Sequence, residues 1–256
     1  PDENGLEVEA ALIKLIEKDP PERPAPDSKE SAKVEKYQFY LAITGASINA
    51  LSELRVPGAV KTLVRAMYLT PELFTQIRRA LVASGPEAEA ALRKILTRQD
   101  TDVAQLFKDK KLDQYCTNGT CQPVSAMDFY PAVVIGDFYD PASVPDLLAV
   151  LDRPAQPQYY DQNGPSQTTE YNAVFDSLTK IGAASAADKV RSMWDKGAPP
   201  PQPKGKTAKP GAPAPDADAD ADLATRMLAV NTYPFVARDD SGAQRLGQIA
   251  LDNHAD

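Results

Sequence analysis

Cys116 and Cys121 are the residues best placed to do chemistry together, because only four residues separate them. The dipeptide Asn118-Gly119 between them strongly favours a tight turn, which would bring the two sulfur atoms together. A disulfide bond at this point would place the chain in an oxidising compartment. The alternative is a reduced, inert pair in a loop. A tetrahedral metal site is not favoured, since the chain has no other cysteine and only one histidine, His254.

The histidine content also argues against the common catalytic constellations. Ser-His-Asp and Cys-His catalysis need a histidine that its neighbours hold in place, whereas His254 stands two residues from the chain end. Residues at chain ends are usually mobile. A Gly-rich phosphate loop and a His-Glu-x-x-His motif are both absent from the sequence. We therefore expect no enzymatic activity and no cofactor.

Alternating aspartates from Asp216 to Asp222 resemble the start of a calcium-binding loop. The sixth position of such a loop is Ala221 here, where the sharp turn needs glycine, and the twelfth is Met227, where a bidentate glutamate is needed. The pattern instead predicts a solvated acidic tract. We expect its last residue, Asp222, to cap a helix that begins near Leu223.

Length and charge limit the class of protein. A chain of 256 residues with 43% hydrophobic residues can form one extended domain or two small ones. Its net charge of -8 argues against nucleic-acid binding, which needs a surplus of Lys and Arg. No apolar run approaches the roughly 20 residues of a membrane-spanning helix. The chain opens at Pro1 without an apolar leader, so we expect a processed or truncated form, whose lipid anchor, if any, lies outside this chain.

Two Pro-rich breaks, at 20–26 and from Lys196 to Asp222, divide a sequence whose apolar periodicity is otherwise helical. The second break is rich in Pro, Ala and Asp and cannot bury enough apolar surface to offset its ordering entropy, which predicts disorder. The fold class is therefore all-α. We predict an N-terminal helix and Pro-rich lead at 1–27, repeats at 28–99, an inserted helix and cysteine loop at 100–125, further repeats at 126–195, a disordered linker at 196–221 and a C-terminal helix pair at 222–256.

Five segments can be aligned on one template of two helices. The second helix of each is predicted to begin at Pro57, Pro86, Pro141, Ala184 and Asp240, and proline suits the first position of a helix. Residues three, six and ten positions later form one buried stripe, with Glu89 as the exception. The residue three positions before each start, such as Leu54, is expected to make an apolar contact near the turn. Helix pairs of this kind stack into a solenoid because one pair alone cannot bury its apolar face.

The segment from Phe138 to Asp152 resembles the turn and second helix of a HEAT repeat, as do the segments from Arg55 to Arg65 and from Leu178 to Gly182. The resemblance covers roughly residues 37–99 and 126–195, with a weaker unit at 222–253. It implies an irregular α-solenoid of antiparallel helix pairs that binds proteins along a concave surface lined by second helices. A minority of short bacterial HEAT-like proteins are bilin lyases, so the alternative that it implies is a lyase-type enzyme acting on a chromophore or a protein.

Two groups of residues are candidates for partner binding. Positions four and eight of the second helices form a separate stripe, which carries Lys61, Arg65 and Lys94 in the first two repeats. These cations would favour an acidic partner segment, and the alternative is an ordinary solvated face. The loop from 153 to 167 carries Tyr159 and Tyr160, which suit a recognition surface. The alternative is that this loop only covers the edge of the solenoid and binds no partner.

The function predicted from these features is a non-catalytic protein-binding scaffold or assembly module of the bacterial cell envelope. Its expected location, periplasmic or outer-membrane-associated, depends on the cysteine pair alone. A second alternative is a structural subunit of a larger envelope complex, which would leave large apolar patches exposed on the isolated chain.

Overall fold

The computed structural model describes residues 3–25, 28–110, 116–117, 120–121, 126–155, 160–161, 164–165, 168–196 and 217–237, and the single residues 240, 244 and 247. The chain divides into two compact units, Pro1–Gln122 and Pro123–Asp256. Helices form nearly all of the described regular structure, and each described strand has two residues. The all-α prediction is confirmed.

The first unit is built around the long helix α2. Its described helices are α1 (Glu3–Ile16), α2 (Ser31–Leu54), α3 (Val60–Leu69), α4 (Phe74–Ala83), α5 (Pro86–Leu96) and α6 (Thr101–Lys110). A hairpin follows, in which β1 (Cys116–Thr117) pairs with β2 (Thr120–Cys121). Helix α2 packs against α1 and α4, and α3 packs against α4 and α5. The core of this unit therefore lies between α2, α3, α4 and α5, with α1 packed on α2.

The second unit is organised around α9. Its described helices are α7 (Ala126–Gly136), α8 (Val144–Val150), α9 (Glu170–Ile181), α10 (Ala187–Lys196) and α11 (Ala217–Ala237), and a hairpin pairs β3 (Tyr160–Asp161) with β4 (Gly164–Pro165). Helix α9 packs against α7, α8 and α11, and α10 packs against α11. A capping box fixes the start of α9. The Thr169 hydroxyl accepts a hydrogen bond from the N–H of Tyr171, and the Asn172 side chain accepts one from the N–H of Thr169.

Four of the five predicted second-helix starts coincide with the first residue of a helical segment. Pro86 begins α5, while Pro57, Pro141 and Ala184 begin the 3-10 turns that lead into α3, α8 and α10. In these four pairs, the residues at positions six and ten are at most 4% exposed, namely Leu63, Met67, Leu92, Leu96, Leu147, Leu151, Val190 and Trp194. Glu89, the expected exception, is buried as well. Most of the fifth pair lies outside the described residues.

Leu54, which was expected to make an apolar contact near the first turn, is 52% exposed and so lies outside the core. Helix α2 ends in a left-handed residue, Arg55, with a φ of 51°. The N–H of Val56 then donates to the carbonyl of Leu51 at 3.4 Å, as in a Schellman motif. This motif turns the residue after the left-handed cap back toward the helix. Val56, which is 4% exposed, therefore enters the core in place of Leu54.

The start predicted near Leu223 for the first helix of the C-terminal pair is wrong. Helix α11 begins at Ala217, so 217–221 are helical rather than part of a linker, and Asp222 lies inside the helix instead of capping it. Alanine at 217, 219 and 221 favours this earlier start, because alanine is the best helix former. The rest of the predicted linker, 197–216, lies outside the described residues.

Candidate functional site

An open groove in the first unit brings the second helices α3 and α5 together with the inserted helix α6. Its volume is about 610 Å³, within the range of ligand pockets. Val103, which is 4% exposed, anchors α6. The ring of Phe107 on α6 also meets the ring of Tyr68 on α3 edge to face, with 5.0 Å between the centroids. The Asp100 carboxylate caps α6 by accepting a hydrogen bond from the N–H of Val103 at 2.9 Å.

The floor of the groove is apolar. Val60 and Val64 of α3 are almost fully buried beneath it, at 4% and 5% exposure. Ala90 and Ala91 of α5 and Leu106 of α6 also line the groove, and all three are at least partly open to solvent. Because the two alanines have small side chains, they leave room above α5. The groove can therefore accept an apolar side chain of another molecule.

The three predicted basic residues all line this groove. The Lys61 Nζ atom lies 2.7 Å from Asp102 Oδ2, and this hydrogen bond raises the pKa of the exposed Lys61. Arg65 forms an ion pair with Asp19 and donates a hydrogen bond to the carbonyl of Glu17 at 3.3 Å. Lys94 is exposed, and no ion pair between described residues includes its ammonium group. Two of the three cations are thus already paired with carboxylates of the same unit.

Carboxylates outnumber cations around the groove. Five line it, namely Glu17, Glu87, Asp100, Asp102 and Asp109, beside the three basic side chains. The stripe that the sequence presents as basic is therefore a rim of mixed charge. An acidic partner segment would be attracted by Lys94 and repelled by the neighbouring carboxylates at the same time.

Sequence reasoning missed the acidic half of this site. The repeat template follows α3 and α5 only, whereas Asp102 and Asp109 belong to α6, which lies between repeats. Local sequence does predict α6, since Asp100 precedes it as an N-cap. Where α6 docks is decided by Val103 and Phe107, and no local pattern shows which repeat those side chains will contact.

In the second unit, the stripe at positions four and eight is open to solvent but carries little charge. Pro145 and Asp188 are exposed, while Ala149 and Ser192 are partly exposed. The Ser192 hydroxyl donates to the carbonyl of Lys189 at 3.0 Å. This part of the stripe offers no cluster of charged groups that would select a partner.

The remaining predicted site residues lie in or beside the hairpins. The β1–β2 register sets Cys116 opposite Cys121 and Thr117 opposite Thr120. Tyr160 pairs with Pro165 in β3–β4, whereas Tyr159 lies outside the described residues. The side chains of all these residues are likewise outside the described part of the chain.

The described residues include neither a metal site nor a membrane-spanning helix. Nowhere in it do three His, Cys, Asp or Glu side chains come together in an arrangement that could hold a metal ion. Among the described helices, none combines the length and apolar character of a membrane-spanning segment.

Comparison with known proteins does not assign the groove a role. No protein-family model, curated protein or solved structure matches the chain.

Proposed function

We propose that the chain is a non-catalytic protein-binding scaffold, and that the groove between α3, α5 and α6 holds a segment of its protein partner. The observation that carries this proposal is the combination of an open apolar floor with a rim of fixed charges. An apolar floor supplies burial, while charged side chains at the rim select the partner and its orientation.

The architecture that we propose is an irregular α-solenoid of HEAT-like helix pairs. Contacts within each unit support it. First helices of successive pairs pack against each other, α2 against α4 in the first unit, and α7 against α9 and α9 against α11 in the second. The second helices α3 and α5 also pack against each other. Such nearest-neighbour stacking is what a solenoid requires, and in the first unit the groove beside α6 stays open for binding.

The rim defines the chemistry of the partner segment. The segment would place an apolar side chain over Ala90 and an acidic side chain near Lys94. Basic side chains would face the carboxylates of Glu87 and Asp109, which lie on α5 and α6. We therefore propose an amphipathic peptide that carries both signs of charge, rather than a purely acidic one.

Selection of peptides tests this proposal. Peptides of about 16 residues from a random displayed library are selected on the full chain, and their affinities are measured by fluorescence anisotropy. Ala90→Trp should fill the groove and weaken binding at least about tenfold, a loss of about 1.4 kcal/mol. The matched control is Ala11→Trp at an exposed site on α1, outside the groove. Selected peptides that bind both variants equally well would overturn the proposal.

We also propose that Cys116 and Cys121 form a disulfide and that the protein works outside the cytoplasm, in the periplasm or at the outer membrane. The register of the hairpin supports this, because it sets the two residues opposite each other. In a hairpin with a two-residue loop, the second pair from the loop does not exchange hydrogen bonds, and its Cα atoms are about 4.5 Å apart. Disulfides span Cα distances of about 4.4–6.8 Å.

A thiol count tests the cysteine proposal. Protein from the native host is unfolded without reductant, alkylated and weighed by mass spectrometry. The disulfide predicts that neither thiol reacts until a reductant is added. Alkylation of both thiols before reduction would refute the disulfide and remove the argument for an extracytoplasmic location, and it would leave the groove proposal unaffected.

A further inference from the structure

Helix α2 has apolar residues on two opposite faces. One face is buried against α1 and α4, and it carries Ile48 and Leu51. The other face is open to solvent although it carries large apolar side chains: Phe39 is 68% exposed and Ile43 is 37% exposed. An amphipathic helix at the surface of a monomer normally has charged or polar residues on such a face. The exposed apolar side chains on this face of α2 therefore favour contact with another molecule.

The residues along this open face follow the spacing of a coiled-coil seam. Intervals of three and four residues separate the six positions, which are Lys36, Phe39, Ile43, Ala46, Ala50 and Glu53. In heptad terms, positions 36, 43 and 50 are a positions, and 39, 46 and 53 are d positions. All six side chains are exposed except that of Ala50, which is partly exposed. The seam rises about 1.5 Å per residue and so extends for about 26 Å.

We propose that this face binds the same face of a second copy of the chain, with the two α2 helices antiparallel. In an antiparallel coiled coil, a positions face d positions. One register places Phe39 against the partner's Ala50. The same register places Ile43 against the partner's Ala46, so that each large apolar side chain meets a small one. Alanine at these positions lets the two helix backbones approach closely.

The charged residues at the two ends of the seam fit the same register. When Phe39 faces the partner's Ala50, Lys36 at one end of the seam faces the partner's Glu53 at the other. Both side chains are exposed, and no ion pair between described residues includes either of them. A two-fold axis repeats every contact, so the seam gains two such ion pairs and remains self-complementary, as an interface between identical subunits must be.

The opposite orientation lacks this complementarity. In a parallel pair, Lys36 would meet the partner's Lys36, and Glu53 would meet the partner's Glu53. Like charges at these positions repel each other, and the two Phe39 rings would collide in one layer while the alanines left gaps in others. The order of residues along α2 thus favours one antiparallel register. This surface is separate from the groove, which lies on α3, α5 and α6.

Mass measurement on the full chain tests the proposal. At about 100 µM, sedimentation or light scattering should give a species of twice 27.7 kDa. Phe39→Asp should weaken the dimer at least about tenfold, because it places a charge in an apolar layer. The matched control is Gln38→Asp, which adds the same charge at an exposed site beside the seam. Circular dichroism of both variants verifies that α2 still folds.

A charge exchange tests the register. Lys36→Glu and Glu53→Lys should each weaken the dimer, since each creates like-charge pairs across the seam. The double variant K36E/E53K should restore the wild-type affinity, because it reverses both members of each pair. Within one chain these residues are 17 positions apart on the same helix, so rescue must come from contact between two chains. A wild-type chain that stays monomeric, a dimer that tolerates Phe39→Asp, or a double variant without rescue would each overturn the proposal.

Discussion

Gly136 lies where α7 approaches α9 closely, and its replacement by alanine should destabilise the second unit strongly. A Cβ atom at this position would overlap Ser177 Oγ and would lie 2.8 Å from Ser177 Cβ and 2.9 Å from Ser177 Cα. Ordinary carbon contacts are about 3.5–4.0 Å, so the helices must separate. Separation also breaks the buried hydrogen bond that the Ser177 hydroxyl donates to the Ala132 carbonyl at 2.6 Å.

The expected cost follows from these two effects. Overpacking a well-packed core costs about 1–3 kcal/mol, and losing a buried hydrogen bond costs about 1–3 kcal/mol. The higher helix propensity of alanine returns up to about 1 kcal/mol. The free energy of unfolding should therefore fall by about 1–5 kcal/mol. For a urea slope of about 2 kcal/mol/M, the unfolding midpoint falls by about 0.5–2.5 M.

Tryptophan fluorescence is the assay, because Trp194 is the only tryptophan and belongs to the second unit. It is 2% exposed and meets the Tyr233 ring edge to face at 5.5 Å, so unfolding of this unit exposes it. The double variant G136A/S177G removes two of the three close contacts and should lose less stability than the sum of its single variants. Strictly additive effects, or a midpoint shift below about 0.3 M for Gly136→Ala, would refute the reasoning.

Three further outcomes are expected. Thr169→Ala should lower the free energy of unfolding of the second unit by about 1 kcal/mol, because it breaks the capping box of α9; an unchanged urea midpoint would contradict this. Burial raises the pKa of Tyr171 to about 12. The stability that its protonated form contributes below about pH 10 is therefore lost as the pH rises toward 12. In urea melts, the free energy of unfolding should fall less between pH 9 and pH 11 for Tyr171→Phe than for the wild type. Asp100→Ala removes the cap of α6 and should speed amide hydrogen exchange in that helix, whereas Asp188→Ala, at an exposed site on α10, should leave it unchanged.

Four starts of second helices could be predicted from sequence, because two local signals agree at Pro57, Pro86 and Pro141 and one of them, the apolar periodicity, is present at Ala184. Proline fixes a φ that suits the first helical position, and the apolar residues six and ten positions later repeat with the helical period. Both signals concern a single helix and the face that it buries. The same reasoning located Lys61, Arg65 and Lys94 on one surface, since positions four and eight of a helix share a face.

The electrostatics of that surface could not be predicted, because they depend on a contact between elements that are distant in sequence. Lys61 and Asp102 are 41 residues apart, yet their charged groups are 2.7 Å apart once α6 has docked. A charge counted along one helix is a poor guide to the net charge of a surface when another helix docks beside it and adds charges of the opposite sign. The stripe lost its basic character through this contact and not through any error in helix assignment.

The exposed apolar residues of α2 show a second limit of predicting buried faces from helical periodicity. A helix pattern identifies the buried face by the contrast between apolar and polar residues, and this contrast disappears when both faces are apolar. Leu54 illustrates the result: its apolar character predicted a contact near the turn, whereas the cap at Arg55 brings Val56 into the core instead. Leu54 then extends the open apolar face of α2 beyond Glu53. An apolar residue on such a helix therefore predicts burial in the proposed dimer and not within one chain. The order of large, small and charged residues along the seam indicates which partner buries it.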